Sequence, residues 1–266
     1  MLAIGSVPYA NARPLLVGLD GDPGIRLVLE PPSRLARHLA AGELDAALVP
    51  SIVVLRDPRR VIVPAGCIAS RGPVASVSLF CRRPLGPGAL VWLDESSLTS
   101  VGLVRILLDG PLGAPGARFE PCPPSTDPRD AAADAVLLIG DPCLVLDRRH
   151  LEEIDLGAVW TRWTGLPFVW AVWAARDAAA AVVVAPVLEA ARRRGIASMA
   201  EVVRAEAARL RIPEESMRRY LTHHIRHDLG EEERRGLERF RQECGRAGLL
   251  AAPVAAAVNV EPHLPP

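Results

Sequence analysis

The sequence predicts an α/β protein of two lobes, the second inserted into the first, with a hinged cleft between them. Three observations lead there. Short apolar runs alternate with helical stretches through the first 50 residues, a second unit of the same alternation starts near Pro84, and the chain beyond Ala175 turns almost purely helical. Alternation of this kind gives a largely parallel sheet with helices on both faces. The 266 residues suit one large domain or two of about 130, and a composition that is 50% hydrophobic supports a substantial core.

The first unit reads as strand 3–7, helix 12–19, strand 25–29, helix 33–41 and strand 45–50, with Ser33 suited to cap the second helix and Gly42 to stop it. Residues 74–81 form another extended segment. The second unit reads as strand 90–93, helix 97–109, strand 117–120 and strand 134–139, punctuated by Pro and Gly clusters at 84–88, 111–116 and 121–128. A long apolar run covers 166–175, and helices are expected at 178–194, 199–210, 214–221 and 231–246. Segments 74–81 and 168–175 are read as crossings between the lobes, which places lobe I at 1–80 and 175–266 and lobe II at 81–174. Ligands of such folds bind between the lobes, at strand C-termini and helix N-termini, where closure excludes water.

Composition removes several function classes. The chain has no lysine, so all 31 basic residues are arginine, and Schiff-base chemistry, a pyridoxal anchor and a phosphate-loop lysine are excluded together. Acidic residues also number 31, a balance that argues against nucleic-acid binding, which needs a concentrated basic face. Met1 leads straight into Leu2-Ala3-Ile4 without a charged leader or long apolar stretch, so a cytoplasmic protein with no membrane insertion is expected. Cys67, Cys81, Cys122, Cys143 and Cys244 are odd in number and lack a C-x-x-C, which suits reduced thiols better than a disulfide framework or a zinc site.

The first strand runs through Ile4-Gly5-Ser6-Val7 into a helix start with Asn11 at the junction. Free N–H groups and the positive dipole end there make a site for an anionic ligand. Ser97, Thr99 and Ser100 offer hydroxyls at a second helix start, with plain N-capping as the alternative reading. Asp141 follows an apolar strand at its C-terminal end, where it either meets a ligand or caps a helix. His223, His224 and His227 sit among arginines and glutamates, lack a carboxylate at metal-ligand spacing and are read as surface residues; Trp160, Trp163, Trp170 and Trp173 are read as packing. No Gly-rich dinucleotide fingerprint follows the first strand.

Several separated segments together resemble the menaquinone-biosynthesis family of the futalosine route. They are I-G-S-V-P-Y-A-N-A-R-P-L from Ile4, G-E-L-D-A-A-L-V-P-S from Gly42, G-P-V-A-S-V from Gly72, S-S-L-T-S from Ser96, L-L-I-G-D from Leu137, the run from Asp155 to Arg176, and G-L-E-R-F from Gly236. The resemblance implies a periplasmic-binding-protein-like fold and the conversion of chorismate to 3-[(1-carboxyvinyl)oxy]benzoate and water, with no cofactor and no metal. It implies a compact dianionic substrate, with Asn11 and Ser76 as catalytic residues. Substrate-binding roles then fall to Ser97, Thr99, Ser100, Asp141, Thr164 and Phe168, the Phe168 ring packing on the substrate ring. A neutral amide is a poor base at pH 7. Asn11 is therefore expected to orient substrate and leaving hydroxyl while a carboxylate, with the substrate's own enolpyruvyl group a candidate, accepts the C3 proton. Arg13, Arg71 and Arg105 are the arginines considered for substrate contact. A sibling cyclase of the family carries a histidine after the late strand where this chain has Gly140-Asp141, which favours the dehydratase. A non-catalytic small-anion receptor of the same fold is the alternative from another class.

Overall fold

The computed structural model describes residues 1–94, 96, 98–124 and 126–250. The chain opens with β1 (Leu2–Ser6), a 3-10 helix (Ala10–Leu15), β2 (Ile25–Leu29), α1 (Pro32–Ala40), β3 (Ala46–Pro50), α2 (Ser51–Arg56) and β4 (Val61–Ser70). It continues through β5 (Val77–Cys81), β6 (Leu90–Asp94), α3 (Leu98–Asp109), β7 (Arg118–Cys122), β8 (Ala135–Ile139), α4 (Asp141–Val145), β9 (Glu152–Asp155) and α5 (Leu156–Thr164). Then come β10 (Phe168–Ala175), α6 (Ala178–Ala197), α7 (Met199–Leu210), α8 (Glu214–Arg219), a π-helical turn (Tyr220–His224) and α9 (Glu231–Arg246).

Two five-stranded sheets result, ordered β2-β1-β3-β10-β4 and β7-β6-β8-β5-β9. In each, three strands are parallel and the remaining two join by antiparallel pairing: β10 lies between β3 and β4, and β5 between β8 and β9. The central strands β3, β5 and β8 are buried along their whole length, which is why they read as unbroken apolar runs. One hydrophobic core runs through both sheets, and a smaller cluster around Phe80, Val136 and Leu138 covers the far side of the second.

The chain passes from the first sheet to the second between Ser70 and Val77 and returns between Asp155 and Phe168. This moves both expected boundaries. The strand at 77–81 belongs to the second sheet, and 168–174, assigned to lobe II, is hydrogen-bonded into the first between β3 and β4. Asp155 ties the two crossings together: it caps α5 through Ala158 N–H at 2.9 Å and accepts from Val74 and Ala75 N–H on the other crossing. Ala75 there holds a left-handed backbone, φ +62°.

Other differences have local causes. α1 starts at Pro32, whose fixed φ suits the first helical position, so Ser33 is not the cap. The helix expected at 12–19 is a short 3-10 helix over Ala10–Leu15 with Pro14 inside. β4 carries Pro64 and Gly66, which mask a strand pattern. Among the described residues, no helix is long and apolar enough to cross a membrane. All five cysteines are buried thiols.

Candidate active site

A crevice lies where the C-terminal ends of β1, β3 and β8 meet the crossings. Its walls are mostly aliphatic, with the rings of Tyr9 and Trp170 and the polar side chains of Asn11, Ser76 and Ser100. No charged side chain lines it among the described residues. An apolar cleft with a few convergent polar groups is the usual form of a small-molecule site.

The elements position each group for identifiable reasons. Asn11 sits in the 3-10 helix after β1; its side-chain Oδ1 is buried and has no hydrogen-bond partner among the described residues. Its backbone carbonyl accepts from His227 Nε2 at 2.9 Å. His227 is buried, not on the surface as expected, and burial depresses its pKa. Ser76 is wholly buried on the run into β5; its Oγ accepts from Tyr220 Oη at 2.8 Å and its carbonyl from Gly140 N–H at 2.7 Å. Tyr9 packs its ring against Gly140, where a Cβ would come within 3.0 Å of the ring and where φ is +68°. Both conditions require glycine. Burial, with Asp94 nearby, pushes the Tyr9 phenol up to about 12, so it is a neutral hydrogen-bonding group at neutral pH.

Asn11, Ser76 and Ser100 thus come together at one crevice. The other expected site residues do not line it. Thr99 accepts from Ile52 N–H at 3.1 Å and so caps α2 across the lobes. Thr164 bonds the Trp160 carbonyl at 2.9 Å and accepts from Leu166 N–H, closing the end of α5. Phe168 is fully buried with Trp160 and Phe240 at ring separations of 5.1 and 4.8 Å, so the aromatic wall is supplied by Trp170, two residues along. Asp141 stands beside the crevice with its carboxylate committed: Oδ1 accepts from Ala10 N–H at 2.9 Å and Oδ2 from Arg209 at 2.6 Å. Ser97 lies outside the described residues. Arg13 pairs with Glu206, Arg71 with Glu232, and Arg105 covers the Phe119 ring. Among the described residues no group of His, Cys, Asp and Glu could hold a metal ion.

Tyr220 and Arg209 are contributions the sequence reading did not single out, and His227 is one it read as a surface residue. They come from the helical C-terminal third, outside the segments that carry the family resemblance. Only the chain's return to the first lobe brings them against Ser76, Asn11 and Asp141.

Two sheets of matching order joined by two crossings, with a mostly apolar crevice between them, define a two-lobed binding-protein-like fold. Protein AF1704 from Archaeoglobus fulgidus superposes with a TM-score of 0.78 at 15% identity, covering 93% of this chain and 98% of that one. The periplasmic aliphatic sulphonate binding protein SsuA from Escherichia coli gives a TM-score of 0.63 at 16% identity, covering 94% of each chain. The menaquinone biosynthesis family profile matches residues 2–246, and the chain belongs to that family. It is 34% identical over 261 residues to the chorismate dehydratase of Thermus thermophilus, covering 91% of this chain and 94% of that protein.

Proposed function

We propose that the crevice binds chorismate and eliminates water from it, giving 3-[(1-carboxyvinyl)oxy]benzoate. The observation that carries this reading is the buried Oδ1 of Asn11, unpartnered among the described residues, in a crevice shared with Ser76, in a chain 34% identical to a chorismate dehydratase. The ring loses the proton on C3 and then hydroxide from C4, and the proton taken from C3 is passed to the departing hydroxide, so that one water is released. The elimination is redox-neutral, so the proposal includes no cofactor. Aromatisation supplies the driving force.

Asn11 Oδ1 accepts from the C4 hydroxyl and fixes the leaving group's orientation, while Ser76 donates to the substrate. The first turn of α3, where Ser100 meets the crevice, presents the positive end of a helix dipole to a substrate carboxylate. The lining has no carboxylate side chain among the described residues. The substrate's enolpyruvyl carboxylate, tethered to C3 through the ether oxygen, takes the proton. Charge left at C3 delocalises into the ring diene and its C1 carboxylate, so proton loss precedes hydroxide departure. Tyr9 and Trp170 flank the ring and keep water out. We place this chemistry in the cytoplasm, with the other steps of a biosynthetic route.

Incubating the purified protein with chorismate and following a new benzenoid absorbance tests the proposal, with stoichiometric release of the enolpyruvyl benzoate expected. Binding without turnover would identify a receptor. Indifference to chorismate would point to the sibling cyclase.

A further inference from the structure

We propose that Tyr220 is a positioning residue for this dehydration, holding the Ser76 hydroxyl so that its proton points into the crevice; the role rests on the chorismate reading above. Ser76 Oγ accepts the phenolic proton of Tyr220 at 2.8 Å, and both side chains are buried. A serine hydroxyl has one proton and two lone pairs. With one lone pair filled by Tyr220, the serine proton is turned away from the phenol, and the open space Ser76 faces is the crevice it lines. Ser76 is thereby fixed as a donor toward an anionic substrate. The hydrogen bond it receives also polarises its own O–H, making it the stronger donor.

Independent features of the fold support the assignment. The Ser76 backbone is pinned in the second lobe by Gly140 N–H, whereas Tyr220 arrives from the C-terminal helices, so the contact is long-range and links two parts of the molecule. Tyr220 opens the π-helical turn, in which Ile225 N–H reaches the Tyr220 carbonyl at 3.0 Å. Turns of this type are uncommon and concentrate at functional sites. Burial raises the phenol pKa far above the ordinary tyrosine value, which keeps Tyr220 a proton donor throughout the neutral and mildly alkaline range.

The test uses the full chain and three variants, Tyr220→Phe, Ser76→Ala and the double substitution, assayed with chorismate. Tyr220→Phe is expected to lower kcat about tenfold with KM moving less than about twofold, and to cost less than about twofold once Ser76 is alanine. An unchanged kcat, a loss confined to KM, or losses that multiply in the double variant would overturn the role. Should a thermal melt show Tyr220→Phe unfolded, 3-fluorotyrosine placed at 220 keeps the ring shape with a stronger donor. A kcat that responds to it when Ser76 is present and not in Ser76→Ala is the expected result; the same response in both backgrounds overturns the role. Wild-type protein that leaves chorismate unchanged would overturn the functional reading itself, and this role with it.

Discussion

Asn11 shows how one residue is held by contacts made elsewhere in the chain. Its carbonyl is taken by His227 Nε2, so the amide side chain is left as the group facing the crevice. Asn11→Ala removes the acceptor for the leaving hydroxyl and is expected to lower kcat about 100-fold, the scale seen when one polar transition-state contact is lost. A steady-state assay with chorismate measures it, and near-normal turnover would sink the assignment. His227 gives a second prediction, in stability. Burial depresses its pKa, outweighing the hydrogen bond to Asn11 and the charge of Asp228, which favour protonation. Between the folded value and the ordinary imidazole value the unfolded chain therefore binds more protons, and stability rises with pH. The contribution is complete above about pH 6.5 and declines below it, by at most about 1.4 kcal/mol per pH unit. Urea unfolding from pH 8 to pH 5 should show that decline, and His227→Gln, which retains an N–H donor, should flatten it. Equal slopes in the two proteins would refute the burial argument.

At the scale of elements, α6 approaches the 3-10 helix so closely that a Cβ on Gly195 would lie 1.8 Å from the Pro14 carbonyl oxygen. The obstructing atom is backbone, so nothing flexible can yield. Gly195→Ala is expected to cost about 3 kcal/mol through forced separation of the two elements. A lowered urea midpoint would register it, and because the 3-10 helix carries Asn11, kcat should fall as well. A midpoint unchanged from wild type would show that α6 is not packed so tightly. The sequence reveals α7 and α9 because each keeps one pattern from cap to end, and both match residues 199–210 and 231–246. It reveals β3 and β8 because burial on both faces removes every polar residue. β4 escapes notice because Pro64 and Gly66 interrupt it, and α5 because it is short and Gly165, its left-handed stop, runs straight into Pro167 and the next apolar stretch. Asn11 and Ser76 are legible as motif residues. Tyr220 and His227 are not, since a residue brought in by tertiary return has no local signature, and His227 among charged neighbours looks like any solvated histidine.

For the whole molecule, the decisive contact is the one Asp141 makes between the lobes beside the crevice. It belongs to α4, which follows a strand of the second sheet, yet its two oxygens bond Ala10 N–H at the start of the 3-10 helix and Arg209 on α7. Arg209 is held in turn by Glu206, which also pairs with Arg13, so a chain of alternating charges runs along the first-lobe side. Gly140, the residue before Asp141, forms part of the crevice wall, and the clasp therefore sits directly beside the site. An exposed ion pair would contribute little, but this carboxylate is buried and also accepts a backbone hydrogen bond, which raises the cost of losing it to about 1–3 kcal/mol. That energy favours the arrangement in which the lobes touch. Asp141→Ala should raise KM for chorismate about tenfold, equivalent to about 1.4 kcal/mol, and enlarge the radius of gyration in solution scattering. Asp141→Asn retains an acceptor for Ala10 N–H while losing the ion pair, so its KM should fall between the two. If Asp141→Ala instead lowers kcat with KM and scattering unchanged, the carboxylate acts on the substrate and not on the lobes, and the clasp is the wrong description.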